Sequence, residues 1–217
     1  MIKAVLWDND GLLLDSEALF FEMTRSFFAG AGLHLDEAYW GIEYLGNARH
    51  SHQIALDLGL SEELAGPLLE RRNAAFVERI RSSVPLMPRV RETFEALHGN
   101  VRLALVTGSP RDKVELMHGP EGLLDRFDVI VTDDDVRNAK PHPEPYLTAI
   151  DLLGLAPEEC LAVEDSNRGL ASAHAAGIAC IVVPNALTRV QRFELAHAVE
   201  EDVSGVLKHL AVDARRS

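Results

Sequence analysis

Five runs of four or five residues, Ala4–Trp7, Leu103–Thr107, Val129–Thr132, Cys160–Val163 and Ala179–Val183, are apolar at nearly every position. A strand with one wet face alternates apolar and polar residues. A run without alternation has to be covered on both sides, as in a parallel sheet flanked by helices. From residue 101 onward, segments of helical character stand between these runs, at Pro110–Met117, Pro143–Leu153 and Arg168–Ala176. Strands alternating with helices predict an α/β fold built on a doubly wound parallel sheet.

The first run breaks the alternation. Residues 16–82 hold no strand-like run. Instead they carry Glu17–Ala31, Ser51–Leu58 and Glu62–Ile80, with apolar residues at helical spacing such as Leu19, Met23, Phe27 and Phe28. The expected organisation is an α/β core from residues 1–15 and 83–217, with an α-helical unit, 16–82, inserted after the first strand. The links fall near Asp15–Ser16 and Ser82–Pro88, the second marked by Pro85 and Pro88.

With 217 residues the chain can bury one sizeable core plus a small accessory unit. A net charge of -13 opposes binding to nucleic acid or to anionic membranes, and requires local positive charge wherever an anion is bound. No apolar run approaches the roughly 20 residues of a membrane span. The N-terminal MIKAVLWDND turns acidic too soon for a signal peptide. Cys160 and Cys180 lie in apolar strand-like runs outside any CxxC pattern, and read as buried thiols of a reducing compartment. A cytoplasmic monomer acting on a small molecule is the expectation. The polar tail, Asp213–Ser217, adds nothing to it.

Ligands of an open parallel sheet bind beyond the carboxyl ends of its strands. The first run leads into Asp8-Asn9-Asp10-Gly11 and the second into Thr107-Gly108-Ser109. The loop after the third carries Lys140-Pro141, and the fourth leads into Glu164-Asp165-Ser166-Asn167. Four carboxylates on one rim repel one another unless a cation binds. An oxygen-only donor set without His or Cys selects a hard divalent ion such as Mg2+. Lys140 and the Thr107 hydroxyl are suited to holding anionic oxygens. Asp133-Asp134-Asp135 reads as a solvated turn.

These four motifs resemble those of the haloacid dehalogenase superfamily, in its phosphatase and phosphomutase branch, and the likeness runs essentially end to end. The resemblance implies that Asp8 is the nucleophile that forms an aspartyl-phosphate and that Asp10 is the general acid/base. It also implies that Thr107, with Gly108 and Ser109, binds the transferring phosphoryl group, and that Lys140 stabilises charge. Mg2+ is then held by Asp8, the Asp10 carbonyl, Glu164 and Asp165. Ser166 and Asn167 are expected to orient the acidic pair, and Asp15 to cap the first link.

In this family the insertion is a cap that closes over the site. Arg49, in Gly46-Asn47-Ala48-Arg49, and Arg72 match basic cap positions of sugar-phosphate mutases and are expected on the substrate. β-Phosphoglucomutase-like members carry a cap His where this chain has Phe20, which favours hydrolysis. The expected activity is therefore a phosphatase of a small phosphorylated metabolite, a sugar phosphate, with a β-phosphoglucomutase-like mutase as the alternative. Departures from the pattern are Trp7 for Phe, Leu12 for Val or Thr, and Arg89 where Gly is usual.

Overall fold

The computed structural model describes residues 1–119 and 122–210. The tail, Asp213–Ser217, lies outside them. Six parallel strands form one sheet: β1 (Ala4–Trp7), β2 (Arg102–Val106), β3 (Val129–Val131), β4 (Cys160–Glu164), β5 (Ala179–Val182) and β6 (Ala198–Val199), in the order β3-β2-β1-β4-β5-β6. The chain winds outward from β1 through β2 to β3, then returns to β1's other side for β4. That reversal opens the crevice in which such sheets bind ligands.

Strand periodicity sorts the core into two layers. Val5 and Trp7 of β1 join Leu103, Leu105, Leu161 and Val163 on one face, packed against Val90, Phe94 and Leu97 of α5 (Val90–Leu97). Ala4 and Leu6 join Ala104, Val106 and Ala162 on the other face. There they meet Tyr146 and Ala149 of α7 (Glu144–Leu153), and Leu170 and Ala173 of α8 (Asn167–Ala175). All four residues of β1 are fully buried, which is why no polar residue interrupts that run. Cys160 and Cys180 are buried, free thiols. The sixth helix, α6 (Arg111–His118), follows β2.

The helical insertion comprises α1 (Ser16–Gly30), α2 (Glu37–Trp40) running into a π-helical turn (Gly41–Gly46), α3 (Ser51–Asp57) and α4 (Glu62–Ile80). Phe21, Phe28, Trp40, Leu45, Ile54 and Leu69 form its interior, with Leu187 reaching in from beyond β5. A second cluster, Leu14, Phe76, Ile80, Val84 and Met117, joins α4 to α6 and the links. The two links lie side by side. Asp15 N–H donates to the Pro85 carbonyl and Met87 N–H to that of Leu13, each at 2.9 Å. Asp15 stands at the N-cap position of α1, but its side chain accepts no capping hydrogen bond, so it holds the link through its backbone alone. No helix among the described residues is long and apolar enough to cross a membrane.

Candidate active site

The register aligns the ends of β1, β2 and β4, with Trp7 opposite both Leu105 and Val163. Asp8, Thr107, Glu164 and Asp165 therefore emerge on one rim. Lys140 reaches them from the loop before α7. Its Nζ donates to Asp8 Oδ1 at 2.7 Å, to Glu164 Oε1 at 2.6 Å and to the Val106 carbonyl at 2.8 Å. Burial alone would depress this ammonium, but the Asp8 and Glu164 carboxylates beside it raise it above its ordinary value. Tyr146 donates to the same Glu164 oxygen at 2.6 Å.

Asp8, Glu164 and Asp165 are buried and bring carboxylate oxygens within 4.8 Å of one another. Burial, and then Glu164, push the Asp8 carboxyl up to about 7 against the pull of Lys140. Burial and the neighbouring carboxylates hold Asp165 well above its usual range. One lysine offsets one of three negative charges. A divalent cation fits the remainder, and the all-oxygen donor set suits a hard ion. The Asp10 carboxylate is not in this trio. It accepts instead from Ser16 Oγ at 2.7 Å, Ser109 Oγ at 2.8 Å and Thr107 Oγ1 at 3.1 Å. Thr107 Oγ1 also accepts the Ser109 N–H at 3.0 Å, closing the Thr107-Gly108-Ser109 turn.

Two glycines are required by close approach. Gly11 has φ of +79°, and a Cβ there would sit 2.5 Å from Asn185 Nδ2 and 2.7 Å from Asp165 Oδ2. A Cβ on Gly169 would overlap the Glu164 carboxylate.

These groups open into a cavity of about 220 Å3. The sheet side contributes Asp8, Asp10, Gly108, Ser109, Lys140, Glu164 and Asp165. The insertion contributes Glu17 and Phe20 of α1, Tyr44 and Leu45 of the π-helical turn, and Phe76 of α4. Lys113 of α6 and Arg168 of α8 add two further cations to the lining.

Of the residues expected from the sequence, the core set converges and the two arginines of the insertion do not. Arg49 and Arg72 are not among the cavity's lining. Arg49 follows a left-handed Ala48 (φ 57°) and pairs with Glu43 and Asp57 on the insertion's exterior. Arg72 is buried inside the insertion. It donates to Thr24 Oγ1 and Ser51 Oγ at 3.1 Å and to Asn73 Oδ1 at 2.8 Å, with its guanidinium 4.4 Å over the Phe20 ring. Phe20 does line the cavity. The hydrogen bonds of Ser166 and Asn167 go elsewhere than to the acidic pair. Ser166 Oγ caps α8 by accepting from Gly169 N–H, and Asn167 N–H donates to Gln191. The side-chain donors to the pair are Lys140 and Tyr146 on Glu164 and Asn185 Nδ2 on Asp165, the last at 2.8 Å. Asp133–Asp135 form a 3-10 turn in which Asp135 accepts from Thr132 and pairs with Arg111.

Other groups at the site had no signal in the sequence motifs. Glu17 is pushed up to about 8 by burial and by Asp10, partly offset by Arg168. His118, fully buried, lies 2.6 Å from Asn9 Oδ1 through Nε2. Burial drops this imidazole to about 4, so it is neutral and Nε2–H is the donor.

The family model for haloacid dehalogenase-like hydrolases matches residues 2–177. CbbY of Rhodobacter capsulatus is 35% identical, over 90% of this chain and 91% of its own. A phosphorylated carbohydrates phosphatase of Thermotoga maritima is 32% identical, over 82% of each chain. The crystal structure of CbbY from Rhodobacter sphaeroides in complex with xylulose-(1,5)bisphosphate superposes with a TM-score of 0.75 at 28% identity, covering 94% of this chain and 96% of that one. Matched by the family model over most of its length and by relatives along nearly all of it, the chain belongs to the haloacid dehalogenase-like hydrolases.

Proposed function

We infer that this protein is a Mg2+-dependent phosphatase of a small phosphorylated metabolite, a sugar or polyol phosphate, acting through an aspartyl-phosphate on Asp8. The observation that carries the reading is the shared buried lysine. Lys140 ties the proposed nucleophile, Asp8, to the proposed metal ligand, Glu164, and holds both carboxylates at the mouth of a small cavity. Names of relatives, hexitol phosphatase B of Escherichia coli among them, support the substrate class.

In the first step an Asp8 oxygen bonds to phosphorus as the ester oxygen departs, taking a proton from Asp10. In the second, Asp10 removes a proton from a water that attacks the same phosphorus and frees Asp8. Ser16, Thr107 and Ser109 hold the Asp10 carboxylate in place for both transfers. Asp8, Glu164 and Asp165 would hold Mg2+, which supplies charge neutralisation at the phosphoryl oxygens. Lys140 and the turn at Gly108 and Ser109 stabilise the same charge. Residues 16–82 act as a cap over a core of 1–15 and 83–217, and the paired links are its hinge.

Phe20 favours water as the acceptor. It occupies the cavity with a ring that neither donates nor accepts a proton, where mutases of the family carry a His. A phosphate-release screen with Mg2+ over sugar phosphates, polyol phosphates and phospho-acids tests the reading. Release by the wild type and none by Asp8→Asn is the expected result. Near wild-type turnover by Asp8→Asn would sink the mechanism. Glucose 1-phosphate converted to glucose 6-phosphate without free phosphate, given a trace of bisphosphate, would make the protein a mutase.

A further inference from the structure

The first motif places a fully buried polar residue, Asn9, between its two aspartates. Its carboxamide joins two groups. Nδ2–H donates to Asp10 Oδ2 at 3.3 Å, and Oδ1 lies 2.6 Å from Nε2 of His118, the last residue of α6. The direction of this chain is fixed from the aspartate end. Turned over, the amide would set its oxygen against the Asp10 carboxylate, acceptor against acceptor. Nδ2 therefore faces Asp10, Oδ1 faces the imidazole, and the imidazole supplies the hydrogen from Nε2. In the neutral ring the other nitrogen, Nδ1, is then a bare acceptor. It is shut off from solvent and has no hydrogen-bond partner among the described residues. A leucine would fill this position without stranding a nitrogen. A buried polar group that is only half satisfied costs stability and calls for a reason.

Asp10 supplies that reason. Its other side-chain donors are hydroxyls, Ser16 Oγ on Oδ1, and Ser109 Oγ and Thr107 Oγ1 on Oδ2. A hydroxyl rotates to suit its neighbours. Ser16 and Ser109 line the cavity, where a phosphate ester competes for their hydrogens. Asn9 is fully buried, and an amide whose carbonyl end is pinned cannot turn its N–H away. It is the donor that a bound ester leaves on Asp10. Each bond in such a chain polarises the next, so the imidazole strengthens the Asn9 donor as well as aiming it. With Oδ2 held as an acceptor, Oδ1 is the oxygen left to hand a proton to the departing ester oxygen. That transfer needs the two oxygens within hydrogen-bond reach, and a carboxyl group free to swing loses rate.

We propose that His118 is a positioning residue for the acid/base Asp10, acting through Asn9: it holds the Asn9 amide with Nδ2 on Asp10, so that the carboxyl group is aimed at the leaving oxygen. This rests on the phosphatase reading above and adds to it a residue 109 positions along the chain from Asn9. His118 touches no reacting atom. Its influence falls on protonation of the leaving group, and so on esters whose oxygen cannot depart as a stable anion.

The test compares kcat/KM for two substrates. One is the alkyl phosphate that the wild type turns over fastest in the phosphate-release screen, whose alkoxide needs a proton to leave. The other is acetyl phosphate, whose acetate does not. This parameter covers the steps up to departure of the leaving group, so the later attack of water does not enter it. Asp10→Asn is the control, and should lower the alkyl phosphate about 100-fold and acetyl phosphate far less. His118→Leu should lower the alkyl phosphate about tenfold, a part of what a positioned acid supplies, and acetyl phosphate by less than about threefold. Asn9→Leu should show the same split, and the double variant no larger one, since either change breaks the same chain. His118→Gln, which keeps an N–H for Asn9 Oδ1, should recover most of the loss. Acetyl phosphate turnover reports a folded site, so Asn9→Leu decides by the same split where His118→Leu does not fold. Equal losses on the two substrates in these variants, beside a split in Asp10→Asn, would make the His118–Asn9 pair structural and overturn the proposal alone. An Asp10→Asn protein without the split, or no Mg2+-dependent release from any ester by the wild type, overturns the phosphatase reading and this proposal with it.

Discussion

Gly169→Ala sets a general rule against a local one. Gly169 lies in the first turn of α8, where alanine is ordinarily preferred to glycine by up to about 1 kcal/mol. The Glu164 carboxylate, however, occupies the space an added Cβ would take, and is itself fixed by Lys140 and Tyr146 at 2.6 Å each. Both bonds are to the same oxygen, so making room breaks both, each worth about 1.5–3 kcal/mol because the acceptor is charged. Net of the helix gain, the substitution should cost about 2–5 kcal/mol. For a chain of this size that lowers Tm by about 4–20 °C. Displacing Glu164 should also weaken Mg2+ roughly 10–100-fold, as changes to the support of a metal ligand do. Urea unfolding and Mg2+ titration calorimetry measure the two effects separately. A Gly169→Ala protein as stable as the wild type, with unchanged Mg2+ affinity, would refute the described seat of Glu164.

Arg49→Ala should change kcat/KM by less than about twofold and leave the urea midpoint essentially unchanged, since its ion pairs are on the surface and screened by solvent. Arg72→Ala should instead cost about 2–3 kcal/mol in urea unfolding, because Thr24, Ser51 and Asn73 lose their buried donor. His118 titrates at about 4 when folded and near 6.5 when unfolded, so between these values the unfolded chain binds the extra proton and stability falls as pH falls. That component is about 2 kcal/mol between pH 7 and pH 5, and His118→Gln should remove it from the pH dependence of the urea midpoint. An identical pH dependence in that variant would count against a buried neutral His118. Arg89 stands at φ 68°, a conformation costing an L-residue about 1–2 kcal/mol. Arg89→Gly should therefore raise Tm slightly, after the larger unfolded-state entropy of glycine is subtracted.

The sheet was legible because its strands are buried on both faces, and burial removes every polar residue from the run. The five runs coincide with β1 to β5 to within a residue at each end. β6 escaped because two residues carry no period and Val199 is 54% exposed. α5 escaped although Val90, Thr93, Phe94 and Leu97 form a helical stripe, because it follows the proline-marked link directly. Asn185 was within reach of the same reasoning that found the rest of the site. It lies just beyond the carboxyl end of β5, the one strand end left unread. Tyr146, His118 and Glu17 were not, because their relation to Glu164, Asn9 and the cavity exists only after helices pack on the sheet.

The contrast between Arg168 and the arginines of the insertion follows from how each is positioned. Arg168 is three residues beyond Asp165 on a strand–turn–helix unit, so the register of β4 delivers it to the cavity along with the acidic pair. Arg49 and Arg72 sit on an insertion whose placement is set by its own apolar interior, and a long cation there settles on whatever acceptors lie nearest. In a chain with 34 acidic and 21 basic residues, such acceptors are abundant, and Arg49 finds two on its own helices. Residues tied to a strand end inherit their position from backbone hydrogen bonding, which sequence encodes strongly. A basic residue elsewhere reaches a site only if it lacks a closer anion, a condition that motif position does not express. The cations that line the cavity, Lys113, Lys140 and Arg168, accordingly all come from outside residues 16–82.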